Sequence, residues 1–255
     1  VNNLIETYEI TKDYGQKGVE AHALQGINLR VEKGEFLGIM GPSGSGKTTL
    51  LNLLSTLDAP TSGKIFFDGL NLAEIKNNTL SQFRRTHIGF IFQDYNLLDN
   101  MPVEDNISLP LALDKVPHNQ IQERVDRICA FFGIEACRKK YPYQLSGGQK
   151  QRVAAARALI TSPSVIFADE PTGALDSKSA GELLNCLAEM NEKFNTTIIM
   201  VTHDAFAASF CKRVLFLSDG RIHAKLSKNN GRNELYQRIL AMMASLGSGE
   251  QHELF

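Results

Sequence analysis

The chain has 255 residues, 43% of them hydrophobic and 22% charged, with a formal net charge of -1. That balance suits a soluble globular protein with one large core or two unequal ones, and it lacks the basic surplus of a general nucleic-acid binder. No apolar run approaches the roughly 18 residues of a bilayer-spanning helix, so work at a membrane would need a partner to supply the span. The opening residues, Val1 to Glu6, do not read as a basic-then-apolar leader. Cys129, Cys137, Cys186 and Cys211 show no C-x-x-C spacing. They are expected to be reduced packing thiols of a cytosolic protein rather than metal ligands.

In chain order, partly alternating apolar residues predict strands over Leu4 to Ile10 and Ala21 to Val31, with a break between Gly15 and Gly18. Phe36 to Met40 predicts a short buried strand. Gly41-Pro42-Ser43-Gly44-Ser45-Gly46-Lys47-Thr48 follows, then a helix over Thr48 to Leu54. Lys64 to Gly69 reads as a strand with a glycine turn, Glu74 to Arg85 as a helix, and Ile88 to Phe92 as a buried strand. From about residue 94 to 160 helical spacing dominates. Val103 to Leu113 is apolar but interrupted by Pro110, Asn119 to Phe132 is helical and closed by Gly133, and Gln149 to Leu159 is the last helix. This block predicts a helical lobe inserted into an α/β domain. Strands return at Val165 to Ala168 and Thr196 to Val201, around a helix near 179–193. Val214 to Ala224 predicts a hairpin turning at Asp219-Gly220. Asn233 to Leu246 predicts a tail helix, more a packing element than a membrane anchor, with fraying from about Gly247.

The stretch 41–48 fits the P-loop pattern, with Thr49 adding a second hydroxyl. Strand, glycine loop and helix together make an anion nest at the positive end of a helix. Lys47 is expected to reach the β- and γ-phosphates of a nucleotide, and Thr48 to ligate Mg²⁺. Asp169 and Glu170 end a buried strand, the place where a nucleotide hydrolase holds hydrated Mg²⁺ (Asp169) and poises a water (Glu170). Gln93 also ends a strand. Alone it reads as a surface amide; in that place it can also contact Mg²⁺ or the attacking water. His203 follows the strand Thr196 to Val201. If that strand is parallel to the P-loop strand, His203 shares its edge and can reach a γ-phosphate. Leu145-Ser146-Gly147-Gly148-Gln149 reads either as a second anion site or as a helix capped by Ser146.

The P-loop, Gln93, residues 145–149, Val165 to Glu170, Ala174-Leu175-Asp176 and His203 occur in the order and spacing of an ABC transporter nucleotide-binding subunit, and the chain resembles that family over about residues 3 to 225. The resemblance implies a P-loop NTPase fold of the ABC-ATPase type: a RecA-like core, an antiparallel β subdomain, the helical lobe at about 94–160, and a separate tail at 226–255. It implies ATP and Mg²⁺ as ligands. Tyr14 would stack on adenine, Pro163 would sit in a turn before the second carboxylate strand, and Asp176 would communicate across a dimer. Two subunits would pack head to tail, with the P-loop of one facing Ser146, Gly147, Gly148 and Gln149 of the other. Catalytic roles would fall to Lys47, Glu170 and His203.

Finer similarity, over Phe92 to Asp99, Phe167 to Ala180, Ile198 to Asp204 and the tail, is to exporters that include lipoprotein-release and macrolide-export ATPases. Within them it is to bacitracin-type antimicrobial-peptide resistance subunits. That implies a membrane permease as partner, a sensor kinase linked through it, residence at the cytoplasmic face of the membrane, and no nucleic acid. Tyr95, Leu97 and Leu98 read equally as permease contacts or as packing. Arg84-Arg85 and Arg138-Lys139-Lys140 read first as solvated faces, with docking to the permease or to inner-leaflet headgroups as the alternative. The other classes weighed are a soluble ABC ATPase acting on DNA or ribosomes, disfavoured by one P-loop and no long heptad run, and a non-hydrolysing nucleotide-gated protein, disfavoured by Glu170 and His203.

Overall fold

The computed structural model describes residues 2–16 and 19–249. Its elements are β1 (Asn3–Gln16), β2 (Val19–Glu32), β3 (Phe36–Met40), α1 (Lys47–Leu54), β4 (Ser62–Phe67), β5 (Leu70–Asn71), α2 (Asn77–His87), β6 (Ile88–Ile91), α3 (Val103–Leu113), α4 (His118–Phe132), α5 (Gly147–Leu159), β7 (Val165–Asp169), α6 (Ser177–Phe194), β8 (Thr197–Val201), α7 (Ala205–Ala208), β9 (Arg213–Ser218), β10 (Arg221–Ser227) and α8 (Arg232–Gly249). The α/β class read from the sequence is borne out. The break expected between Gly15 and Gly18 and the frayed terminus fall partly outside the described residues. α7 and the two-residue β5 were not expected, being too short to show a period.

The chain divides into two compact units, and the division falls inside β8. In the first unit, Val1–Leu72 with Ile199–Phe255, one antiparallel sheet has the order β2-β1-β4-β5 and a second carries β10-β9-β3-β8. Every residue of β3 is buried, which is why it reads as an unbroken apolar run rather than an alternation. β3 and β9 are parallel, Ile39 opposite Leu215. The β9–β10 hairpin turns at Asp219 and Gly220 with φ of 50° and 70°, the two left-handed residues a type I′ turn requires. α8 lies against α7 and β10 with Leu235 and Ile239 buried, while Leu240 and Met243 are exposed.

In the second unit, Ala73–Ile198, β6 and β7 pair in parallel from Ile88↔Val165 to Ile91↔Ala168. α5 packs on β6, α3, α4 and α6 through Val153, Ala154, Ala155, Ala156 and Ala158, all buried. Small residues permit a close approach: a Cβ on Gly89 of β6 would stand 2.5 Å from the Ala158 carbonyl oxygen. Two sequence expectations need correction here. Pro110 does not interrupt its helix. α3 runs through it, because Val103, Ile107 and Leu111 stay buried on one face and Asp114 N–H bonds to the Pro110 carbonyl. α5 begins at Gly147 rather than Gln149, because Ser146 caps it. α4 ends, as expected, at Gly133 with φ 61°.

Cys129, Cys137 and Cys211 are buried and Cys186 is half-buried, none in a disulfide. Burial pushes the Cys129 thiol up to about 11, so it behaves as a packing group.

Candidate functional site

In the first unit the chain leaves β3 directly into the glycine loop. Gly41, Gly44 and Gly46 have φ of 152°, 77° and 96°. A Cβ on Gly41 would stand 2.1 Å from the Leu217 carbonyl oxygen, and one on Gly46 would stand 2.5 Å from that of Ala23. The loop is therefore pressed from two sides, by β9 and by β2. Gly44 meets nothing within 4 Å, so its requirement is conformational alone. The hairpin tip closes the frame, with Gly220 N–H donating to the Ser45 carbonyl at 3.3 Å. The Ser45 hydroxyl is buried without a hydrogen-bond partner, a polar atom enclosed by the loop.

α1 has no side-chain cap and no acidic residue in its first turn. Its leading N–H groups and the positive end of its dipole are thus left to an anion. Lys47 folds back over the loop, Nζ donating to the carbonyls of Gly41 at 2.9 Å and Pro42 at 2.7 Å. Pro42, Ser43 and Thr48 are exposed and Thr49 half-buried. Leu50, Leu51, Leu53 and Leu54 anchor the helix in the core.

Tyr14 lies on β1 opposite Ala21, two residues from the Ala23 carbonyl that abuts Gly46. Tyr14 is an exposed aromatic side chain on the strand paired with the one that abuts the glycine loop. Its hydroxyl donates to Asp58 at 3.0 Å. Lys12 donates to the other Asp58 oxygen at 2.8 Å and sits 4.9 Å from the Tyr14 ring centre. The Lys12 hydrogen bond, more than the Ala59 N–H and the Tyr14 hydroxyl, holds the Asp58 carboxyl below its usual range. Neither Lys12 nor Asp58 was singled out from the sequence. Their partnership spans 46 residues and leaves no local trace.

His203 is exposed at the end of β8. Thr202 N–H donates to the Ile39 carbonyl at 3.1 Å, so the ends of β8 and the P-loop strand lie side by side. That is the shared edge expected from the sequence.

In the second unit Asp169 closes β7, and Glu170 follows with φ 45°, a left-handed conformation that costs a glutamate of order 1–3 kcal/mol. The turn it starts closes with Gly173 N–H on the Glu170 carbonyl at 3.0 Å. A Cβ on Gly173 would stand 3.2 Å from the Gln93 amide, so Gln93 and the Glu170 turn are neighbours. Gln151 of α5 is fully buried and ties the two segments together. Its Nε2 donates to the Phe92 carbonyl at 3.2 Å and the Pro171 carbonyl at 2.7 Å. One bond lies just before Gln93 and the other just after Glu170. Arg157, one helical face further along, donates to the carbonyls of Tyr95 (2.9 Å) and Asn96 (2.6 Å), both of which have positive φ. Buried Asn106 bonds to Leu98 N–H and to the carbonyls of Leu98, Met101 and Pro102. Leu98 is thus an exposed side chain on a pinned loop. Gln151 had a sequence signal that was passed over: it shares helical spacing with Ala154, Ala155 and Ala158, so it is a polar residue on a buried face.

The second glycine motif is a reciprocal capping box. Ser146 Oγ accepts from Gln149 N–H (3.3 Å), and Gln149 Oε1 accepts from Ser146 N–H (3.0 Å). The hydroxyl proton remains a donor. A Cβ on Gly147 would stand 3.1 Å from the Tyr95 hydroxyl, and one on Gly148 would stand 2.9 Å from Ser179 Oγ. Ser179 donates to Asp176 at 2.6 Å. That bond, with the Ser179 N–H, keeps the Asp176 carboxyl below its usual range. Tyr95 is half-buried over this motif, with Lys150 5.9 Å from its ring centre.

A glycine loop between a buried strand and an uncapped helix, with a lysine folded over it, is the arrangement of a P-loop protein. The family profile described as ABC transporter matches residues 24–173. Over 245 residues, 96% of this chain and 97% of the relative, the sequence is 50% identical to the bacitracin export ATP-binding protein BceA of Halalkalibacterium halodurans. The fold is similar to a dimeric ATP-binding cassette, MJ0796, solved in a post-hydrolysis state with ADP and Pi (36% identity, TM-score 0.81, 89% of this chain and 99% of that one). It is also similar to cbiO1 of Clostridium perfringens, part of the ABC transporter complex cbiONQ (30% identity, TM-score 0.83, 96% and 94% covered). The chain belongs to the ABC transporter ATP-binding family. It is an ATPase subunit that binds and hydrolyses ATP.

Proposed function

We propose that the chain powers a membrane permease that removes bacitracin-like antimicrobial peptides, working as a homodimer at the cytoplasmic face of the membrane. The observation that carries this reading is the 50% identity to a bacitracin export protein along nearly the whole of both chains. In the proposed layout residues 3–225 are the ATPase domain, 94–160 its helical lobe and 226–255 a tail. A sensor kinase would be linked through the permease, and Leu98, on its pinned loop, is a candidate permease contact. No described helix is long and apolar enough to cross a membrane.

Tyr14 stacks on adenine, held by Asp58 and Lys12. The loop of residues 41–49 wraps the phosphates with the N–H groups of every residue but Pro42, and Lys47 turns from its own loop carbonyls to the β- and γ-oxygens. Glu170 accepts a proton from the water that attacks the γ-phosphorus, and ADP leaves. His203 hydrogen-bonds the γ-phosphate. Ser146, Gly147, Gly148 and Gln149 of the second copy complete the site with a hydroxyl donor and a helix N-terminus. The hydroxyl, amide and carboxylate oxygens of Thr48, Gln93 and Asp169 are hard donors that suit Mg²⁺, which takes one or two carboxylates plus water and phosphate. When bound, Mg²⁺ would offset the charge developing on the phosphate oxygens.

The test is a resistance assay in cells carrying the partner permease. Wild-type protein should raise bacitracin tolerance and co-purify with the permease, and Glu170→Gln should co-purify without protecting. Sedimentation with ribosomes and no association with permease-containing membranes would contradict the reading.

A further inference from the structure

His203 is followed at once by α7, a helix of four residues. A single turn does not hold itself together. Asp204 caps it, accepting from Phe206 N–H at 2.8 Å. The rings of Phe206 and Phe210 meet edge to face at 5.4 Å. Arg232, the first residue of α8, lays its guanidinium over both, 4.2 Å from the Phe210 ring centre and 5.1 Å from that of Phe206. α8 is itself rooted: Leu235 and Ile239 are buried, and Arg238 donates to the Ser227 carbonyl at 3.0 Å. On the other side of His203, Thr202 is tied to β3 through Ile39, and its hydroxyl accepts from Asp204 N–H at 3.0 Å. His203 therefore stands between a residue fixed to the P-loop strand and a one-turn helix fixed to the C-terminal helix.

We infer that Arg232 is a positioning residue for His203, and that α8 through it sets the rate of ATP hydrolysis rather than the affinity for ATP. The inference rests on the assignment of His203 to the γ-phosphate. A planar cation suits the task because a guanidinium stacks on two aromatic faces at once. Arg232 acts here through the Phe206 and Phe210 rings beside α7, not through the glycine loop, so ATP binding is expected to be insensitive to it.

The test uses the purified full chain with Arg232→Ala, Arg232→Lys, His203→Ala and the double variant, measuring turnover, ATP affinity and melting temperature. Arg232→Ala is expected to lower kcat about three- to tenfold with KM unchanged, from the worth of one such cation–ring contact. Arg232→Lys, which keeps the charge and loses the planar face, should recover only part of the loss. In single-turnover experiments on the His203→Ala background, Arg232→Ala should produce no further loss. Wild-type kcat in Arg232→Ala, an equal fold-loss in both backgrounds, or a loss matched by unfolded protein at the assay temperature would overturn the inference. Wild-type turnover in His203→Ala would instead remove the role of His203 itself.

Discussion

Gly46 and Gly44 are both glycines of one loop with positive φ, yet they answer to different forces. At Gly46 a methyl group collides with the Ala23 carbonyl at 2.5 Å; at Gly44 it meets nothing within 4 Å. Gly44→Ala adds only left-handed strain, about 1–2 kcal/mol. Gly46→Ala must displace β2 or the loop and should weaken ATP binding more than about tenfold, beyond 1.4 kcal/mol. Calorimetric titration with ATP separates the two; equal effects would show that strain alone governs the loop. At Tyr14 the supporting charge is Asp58, whose carboxyl is held below 3.8 chiefly by Lys12. A depressed folded value means stability present above the usual carboxylate range and lost as pH falls through the folded value. Asp58→Asn should therefore lower the melting temperature at pH 7, and the gap should close as the pH is taken below 3.8. A gap that persists in acid would show that the contribution is packing and not charge.

Among the elements, α5 does the most to organise the second unit, and it does so because its buried face is small. Alanines let β6 approach until Gly89 touches the Ala158 carbonyl, and that closeness lets Gln151 reach the main chain on both sides of the Gln93–Glu170 pair. Gln151→Leu keeps the bulk but orphans two carbonyls. It should cost about 1–3 kcal/mol in urea unfolding and slow turnover as well, because the turn at Glu170 loses its tether. Unchanged unfolding would mean that the two carbonyls find other donors. The elements themselves were largely legible. The Asp219-Gly220 turn, the unbroken run of β3 and the Gly133 stop are local chemistry, and local chemistry is written in neighbouring residues. α7 was not legible, since four residues carry no period, and the survival of α3 through Pro110 depends on burial that only the folded unit supplies.

For the whole molecule, the candidate site residues could be proposed from the sequence because strand ends and glycine turns mark them. What could not be read were the partnerships that hold them: Lys12 with Asp58 under Tyr14, the bonds of Gln151 and Arg157 to the main chain beside Gln93 and Tyr95, and Arg232 over Phe206 and Phe210. Each of these bridges elements distant in the chain, and none has a neighbour that betrays its partner. The Glu170 turn carries the largest consequence of this arrangement. Glu170 stands one residue beyond Asp169 in a left-handed conformation, in a turn tied down by the Gln151 amide, and in the proposed mechanism it is the group that takes the proton. The most direct test is ATP turnover of Glu170→Gln beside wild type, with sedimentation of both in ATP. Turnover should nearly vanish in the variant while an ATP-bound dimer accumulates. Wild-type turnover in Glu170→Gln, or a variant that stays monomeric in ATP, would contradict the account.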